Sequence, residues 1–249
     1  KGKGWYAEVQ MIDSDPDKYL KELQDMLMNK TYHTSEYEVF YKNEHGKTRE
    51  IYKLPYFPDR VAQWAILQVI EPYLIKHLIS DTFSAIPDRG IHKGLSRVKK
   101  AVQHDVPNCQ YCLKIDARHY YQSVNHDILK QKYRKMFKDN DLLWILDEII
   151  DSINTAEDED LVSIYLLDED IDPNTGIPIG NYLSQYSGNY YFSDFDHWMK
   201  EVKHVKYYYR YMDDIVVLGS DKKELHKLLL EIKEYFRKEL KLTVKDNWQ

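Results

Sequence analysis

The sequence predicts an α+β fold, and three patterns carry that expectation: apolar residues at helical spacing in several segments, strand-like alternation near residue 40, and two short apolar–aromatic runs flanking the adjacent acids Asp213 and Asp214. With 249 residues, 43% hydrophobic and 31% charged, the chain has enough apolar surface for one large domain or two closely packed lobes, which excludes intrinsic disorder.

Taken in order, the segment from Asp17 to Asn29 spaces Leu20, Leu23 and Leu27 as an amphipathic helix. Tyr37, Val39 and Tyr41 then alternate with Glu38, Phe40 and Lys42, Asn43-Glu44-His45-Gly46 offers a turn, and Ile51 to Leu54 is extended again, so a β-hairpin is expected over about 36–54. Asp59 is placed to cap a helix marked by Val61, Trp64, Ala65 and Val69, running to about Ile79 with a kink at Pro72. A further helix follows Gly90, with Leu95, Val98, Ala101 and Val102 on one face. The run from Tyr111 to Ile115 is a strand ending on Asp116, and helices follow near 125–138 and 140–153. The acids of Glu157-Asp158-Glu159-Asp160 and Asp168-Glu169-Asp170 with Asp172 flank a short apolar run and read as a surface excursion. Beyond Pro178 and Gly180 the pattern gives a long helix to about Met199, strands from Val205 to Tyr211 and Ile215 to Leu218, and a final helix with Leu225, Leu228, Leu229 and Ile232 inward, capped by Ser220 or Asp221.

The net charge of -6 argues against the simplest polyanion binder, although the first hundred residues carry many of the lysines and arginines, and local fields steer a ligand more than the total does. Cys109 and Cys112 are the only cysteines, which excludes a disulfide framework and fits a reducing compartment. Their spacing is that of half a zinc site, with no second pair at zinc-finger spacing behind it. No apolar run approaches the ~20 residues needed to cross a bilayer, and Lys1-Gly2-Lys3-Gly4-Trp5 lacks a signal-peptide core, so a cytoplasmic protein without membrane contact is expected.

The densest chemical signal is Tyr207-Tyr208-Tyr209-Arg210-Tyr211-Met212-Asp213-Asp214-Ile215-Val216-Val217-Leu218. Two carboxylates in an apolar turn are costly without a counter-charge. A divalent cation supplies one, and Asp116, at the end of a different strand, would complete a hard-oxygen site for Mg²⁺. Adjacent side chains on an extended segment point opposite ways, which favours Asp213 with Asp116 and makes Asp214 secondary. The bland alternative is an acidic hairpin turn; the flanking strands and Asp116 weigh against it. Such a site suits nucleotidyl transfer, one ion helping to activate a 3′-hydroxyl and another steadying a triphosphate.

Tyr211-Met212-Asp213-Asp214 resembles the active-site tetrapeptide of reverse transcriptases, and Leu113-Lys114-Ile115-Asp116 with Tyr121 resembles their first acidic motif. The segments Leu54-Pro55-Tyr56-Phe57-Pro58-Asp59-Arg60-Val61-Ala62-Gln63 and Ser84-Ala85-Ile86-Pro87-Asp88-Arg89-Gly90 are similar to fingers motifs of the bacterial group II intron-like branch. The resemblance covers about residues 36–245. It implies a right-hand polymerase fold with an antiparallel palm sheet packed on helices and a mixed fingers lobe. Fingers would occupy residues 1–108 and the palm 109–249, with a helical insertion at about 125–175; the helical thumb normally found after the palm would be missing. The implied activity is RNA-directed DNA polymerisation, taking an RNA template, a DNA or RNA primer and deoxynucleoside triphosphates. Carried over, Asp116, Asp213 and Asp214 become the catalytic, metal-binding acids for two Mg²⁺ ions, with Mn²⁺ as a substitute. Tyr121 packs under the incoming sugar and disfavours a ribose, Lys42 and Arg49 reach the triphosphate, and Lys245 is a candidate for the general acid at the leaving pyrophosphate. Arg60 takes either a structural or a template-contacting role.

One departure points to a narrower branch. Where most of these enzymes have Gln-Gly followed by Ser-Pro, this chain reads Ile179-Gly180-Asn181-Tyr182-Leu183-Ser184-Gln185. That variant is similar to the reverse transcriptases of diversity-generating retroelements, which misincorporate at template adenines, and it makes Ile179, Gly180 and Gln185 candidate nucleotide-contacting residues. It also implies a small basic accessory protein as partner. Two other readings stand beside it: a non-catalytic palm and fingers module for interaction, and a defence-type relative making untemplated DNA.

Overall fold

Residues 4–44, 47–153 and 174–249 are described by the computed structural model. The expected hairpin tip at His45-Gly46 and the acidic stretch from Glu157 to Asp172 lie outside them. Two helices open the described chain, α1 (Ala7–Ser14) and α2 (Pro16–Met28). In α2 the side chain of Asp15 caps Lys18 N, and only Leu23 of the expected apolar stripe is buried; Leu20 is exposed. Strands β1 (Glu38–Glu44) and β2 (Lys47–Lys53) pair antiparallel from Glu38 opposite Lys53 to Glu44 opposite Lys47, the expected hairpin.

Helix α3 (Val61–His77) begins later than Asp59, and Asp59 does not cap it. Its buried carboxylate accepts hydrogen bonds from the Tyr32 hydroxyl at 2.8 Å and from Ser35 N at 3.1 Å, fixing the segment before the hairpin. The buried face of α3 is Ala62, Ile66, Leu67, Ile70 and Leu74, while Trp64 and Val69 are exposed. Apolar residues occur nearly all round this helix, so spacing alone leaves its inward phase open.

The principal sheet joins β3 (Thr82–Phe83), β5 (Tyr207–Tyr211), β6 (Asp214–Gly219) and β4 (Tyr111–Ile115) in that spatial order. β5, β6 and β4 are antiparallel neighbours, as expected of the palm; β3 adds a parallel edge, with Thr82 opposite Arg210. Two residues are too few for any alternation to announce β3 in the sequence.

One face of the sheet, built from Leu113, Ile115, Tyr208, Ile215 and Val217, is buried in the main core. The opposing residues come from helices α7 (Tyr182–Tyr191), α8 (Ser193–His197) and α9 (Lys222–Tyr235), among them Phe192, Phe195, Leu225, Leu229 and Ile232. Helix α5 (His126–Met136) and helix α6 (Asn140–Asp151) pack on each other beside them. Asp221 caps α9, accepting from Lys223 N and Glu224 N. The other face meets helix α4 (Ile91–His104) through Phe83, Ala101, Tyr209 and Leu218. Of the expected α4 face only Ala101 is buried, because Gly94 lets the helix settle on the Phe83 ring and leaves Leu95 and Val102 exposed. No helix among the described residues is long and apolar enough to cross a membrane.

A buried ion pair joins the sheet to its helices. Arg210 of β5, fully buried, donates Nε to Asp196 Oδ1 at 2.7 Å and Nη2 to Asp196 Oδ2 at 2.6 Å. Thr82 of β3 donates to the same carboxylate at 2.9 Å, and the Tyr208 hydroxyl completes the set. Removing one partner strands a charge where water cannot reach it. Asp196→Ala is therefore expected to lower unfolding free energy by about 3–5 kcal/mol, read from the urea denaturation midpoint.

Candidate active site

The β5–β6 connection is closed by the pairing of Tyr211 with Asp214, which leaves Met212 and Asp213 as a two-residue turn. Met212 takes a φ of 53°, a left-handed conformation costing a non-glycine residue roughly 1–2 kcal/mol. The Arg210 guanidinium offsets this by donating Nη1 to the Met212 carbonyl at 2.8 Å, and the Met212 side chain is buried. A second bond from Arg210 Nη1 reaches Asn189 Oδ1 at 3.1 Å, so α7 also holds the turn.

Strand β4 lies beside β6 with Ile115 opposite Ile215, which delivers Asp116, one residue on, to this turn. The carboxyl groups of Asp213 and Asp116 come within hydrogen-bonding reach. Burial first, and the neighbouring Asp116 carboxyl second, hold the Asp213 carboxyl well above the usual carboxylate range. Asp116 Oδ1 is buried without a hydrogen-bond partner among the described residues, and Oδ2 takes an ion pair from Lys245 Nζ. Asp214 stands apart: it is exposed, with Oδ1 3.9 Å from Lys114 Nζ. Among the described residues no set of three or more His, Cys, Asp or Glu side chains is gathered in metal-ligating geometry.

Lys245 reaches Asp116 because the last residues run alongside β4. Lys114 N donates to Gln249 O at 2.7 Å and Gln249 N returns to Lys114 O at 3.0 Å, while Lys245 N donates to Asp116 O at 2.9 Å. This backbone pairing sets the register of Lys245, which its spacing from Leu240 and Leu242 leaves ambiguous.

Tyr121 sits in a short helical turn (Tyr120–Ser123) next to Asp213. Burial raises its phenol pKa, the Asp213 charge adds to the rise, and Arg49 opposes it, so the β1–β2 hairpin and the acidic turn share one electrostatic environment. Lys42 is the cross-strand partner of Arg49. The Tyr121 carbonyl accepts from Ile177 N at 2.8 Å, and the Ile179 carbonyl accepts from Tyr52 N at 2.9 Å, tying the turn before α7 both to Tyr121 and to β2. Gly180 adopts a φ of +109°, and a Cβ there would lie 3.0 Å from Ile51 Cγ2. Gln185 is exposed on α7. The structure thus brings together Asp116, Asp213, Lys245, Tyr121 and Arg49, with Lys42, Ile179 and Gly180 joined through the hairpin.

Sequence reasoning passed over the Arg210, Asp196 and Asn189 set. Its available signal was an arginine on the phase of β5 that carries Tyr208 and Met212 inward, where a cation demands a buried acid.

Sheet, helices and acid-bearing hairpin define a polymerase-type palm. The family profile described as "Reverse transcriptase (RNA-dependent DNA polymerase)" matches residues 41–247, and the chain belongs to that family. The fold is similar to apo telomerase from Candida tropicalis truncated from its C-terminal domain, with a TM-score of 0.60 at 14% identity over 92% of this chain and 54% of that one. It is also similar to telomerase from Candida albicans in complex with a TWJ fragment of telomeric RNA, with a TM-score of 0.56 at 10% identity over 92% of this chain and 47% of that one. The chain spans about half the length of these solved structures. No curated protein matches it by sequence.

Gly180→Ala is expected to cost about 1–3 kcal/mol, since the new methyl group meets Ile51 in a backbone region L-residues avoid. A thermal melt unchanged from wild type would show that the turn before α7 relaxes freely.

Proposed function

We propose that this chain carries the fingers (residues 1–108) and palm (residues 109–249) of an RNA-directed DNA polymerase, extending a DNA or RNA primer on an RNA template with deoxynucleoside triphosphates. The observation that carries this reading is the approach of the Asp213 and Asp116 carboxyls, with a buried Asp116 oxygen that has no hydrogen-bond partner among the described residues. Two close acids on neighbouring strands are a hard-oxygen donor set and fit a divalent cation. Asp116 and Asp213 would hold it, Mg²⁺ or Mn²⁺, with Asp214 as an outer acid, and it would supply charge neutralisation at the triphosphate in two-ion nucleotidyl transfer.

The protein groups divide the remaining work. Arg49 and Lys42 on the hairpin offer charge-assisted bonds to the triphosphate. Tyr121, half-buried beside Asp213, presents a ring where a ribose 2′-hydroxyl would collide, favouring deoxynucleotides. Lys245, bonded to Asp116, would serve as a proton donor near the leaving group. The identities of Ile179 and Gln185 in Ile179-Gly180-Asn181-Tyr182-Leu183-Ser184-Gln185 support the narrower reading of a diversity-generating retroelement type within the group II intron-like branch, with low selectivity at template adenine and a small basic accessory protein as partner.

Primer extension on a defined RNA tests the polymerase reading. Asp213→Asn is expected to reduce the rate by more than about a hundredfold, several kcal/mol of transition-state stabilisation, and chelation by EDTA to abolish extension until Mg²⁺ or Mn²⁺ is restored. Extension unaffected by both would overturn it. Sequencing of the products is expected to show errors concentrated opposite template adenines; equal error at all four bases removes the retroelement assignment and leaves the polymerase intact.

A further inference from the structure

Strands β3 and β5 are parallel and end level with one another, Thr82 opposite Arg210 and Phe83 opposite Tyr211. Each is followed at once by backbone that residues with a side chain avoid. Beyond β3, Ser84 and Ala85 take φ of 80° and 49°; beyond β5, Met212 takes 53°. None of the three is a glycine, so both exits need holding from outside. The Ser84 exit is closed by Ser84 N donating to Arg89 O at 2.9 Å and Arg89 N to Ile86 O at 3.1 Å, bonds that do not involve the Ser84 carbonyl.

One buried side chain meets both exits. Asn189 of α7 donates Nδ2 to the Ser84 carbonyl at 2.8 Å, and its Oδ1 accepts from Arg210 Nη1 at 3.1 Å. The same Nη1 donates to the Met212 carbonyl at 2.8 Å. The amide fits one way round only, since the reverse sets its NH₂ against a guanidinium and its oxygen against a carbonyl. The Asn189 backbone carbonyl also accepts from Arg210 Nη2 at 3.1 Å, so α7 stays bonded to the guanidinium whatever side chain stands there. What the amide adds is the connection to Ser84. One residue earlier, Gly188 leaves room for the methionine: a Cβ there would lie 3.5 Å from Met212 Cε.

We propose that Asn189 is a positioning residue whose amide clamps the exits of β3 and β5 to each other, so that the turn starting at Ser84 helps to set the place of Asp213. It acts through Arg210 and Met212, not on the reacting atoms. The consequence for synthesis rests on the polymerase reading above: the clamp keeps Asp213 in register with Asp116 while the nucleotide is transferred.

Methyl NMR and single-turnover synthesis test it together. Asn189→Asp keeps the size of the side chain and an acceptor for Arg210 but has no donor for Ser84. In protein labelled with ¹³C at its six methionine methyls, this variant is expected to move the Met212 resonance and leave that of Met199, fully buried in the main core, where it was. Asn189→Ala moves the Met212 resonance at least as far. Single-turnover extension of a primer on RNA is expected to slow at least about tenfold in both variants at unchanged amplitude, the penalty of a misplaced reacting group. The nucleotide concentration for half-maximal rate stays within about twofold of wild type, because Arg49 and Lys42 stand on the hairpin. The clamp is overturned by a Met212 resonance unmoved in both variants, by a rate constant equal to wild type, by a half-saturating concentration that rises in step with the fall in rate, by Met199 moving along with Met212, or by failure of both variants to fold. If the wild-type protein extends no primer, the polymerase reading falls and the methyl resonances alone decide the clamp.

Discussion

The contact between Arg210 and Asp196 is the constraint on which the rest of this molecule's geometry hangs. Both side chains are fully buried, so neither charge has water as an alternative partner, and each fixes the other. From this pair the guanidinium reaches Asn189 of α7 and the Met212 carbonyl, while the carboxylate gathers Thr82 of β3 and Tyr208 of β5. Three strands or turns and two helices are thereby referenced to one point. The acidic turn inherits its position from this point, which is how a left-handed methionine can persist at its centre.

That rigidity serves the electrostatics of the turn. Bringing the carboxyls of Asp213 and Asp116 together in a partly buried site is unfavourable, as the elevated proton affinity of Asp213 records. A flexible hairpin would separate them. Here the ladder of β4 on β6 holds one acid, and the Arg210 network holds the other, so the two are kept close in the folded state. Lys245 meets only part of that demand, since it engages one oxygen of Asp116 and leaves the other without a protein partner.

Much of this was readable from the chain, for identifiable reasons. Strands β4, β5 and β6 are short apolar–aromatic runs with acids at their ends, and the start of the β1–β2 hairpin alternates with a period of two, so these elements and the acids they carry appear in the sequence. The approach of Asp116 to Asp213 follows from strand ends meeting, which period and motif suggest. Strand β3 was not legible because two residues have no period. The inward phases of α3 and α4 were not legible either: α3 is apolar nearly all round, and α4 is positioned by a glycine against Phe83, a contact between distant segments. Asp59 looked like a helix cap by type and place, but a buried tyrosine and a backbone amide claimed its carboxylate first.

The single bond from Tyr52 N to the Ile179 carbonyl has a mechanical meaning beyond its energy. It crosses from the hairpin to the turn that begins α7, and the missing side chain of Gly180 lets that turn close on the Ile51 side chain and the Tyr52 carbonyl. The base of β2 and this turn are consequently fixed to each other. The placement of Ile179 is therefore set from the hairpin as much as from its own helix, so the two segments share one frame of reference although more than a hundred residues separate them in the chain.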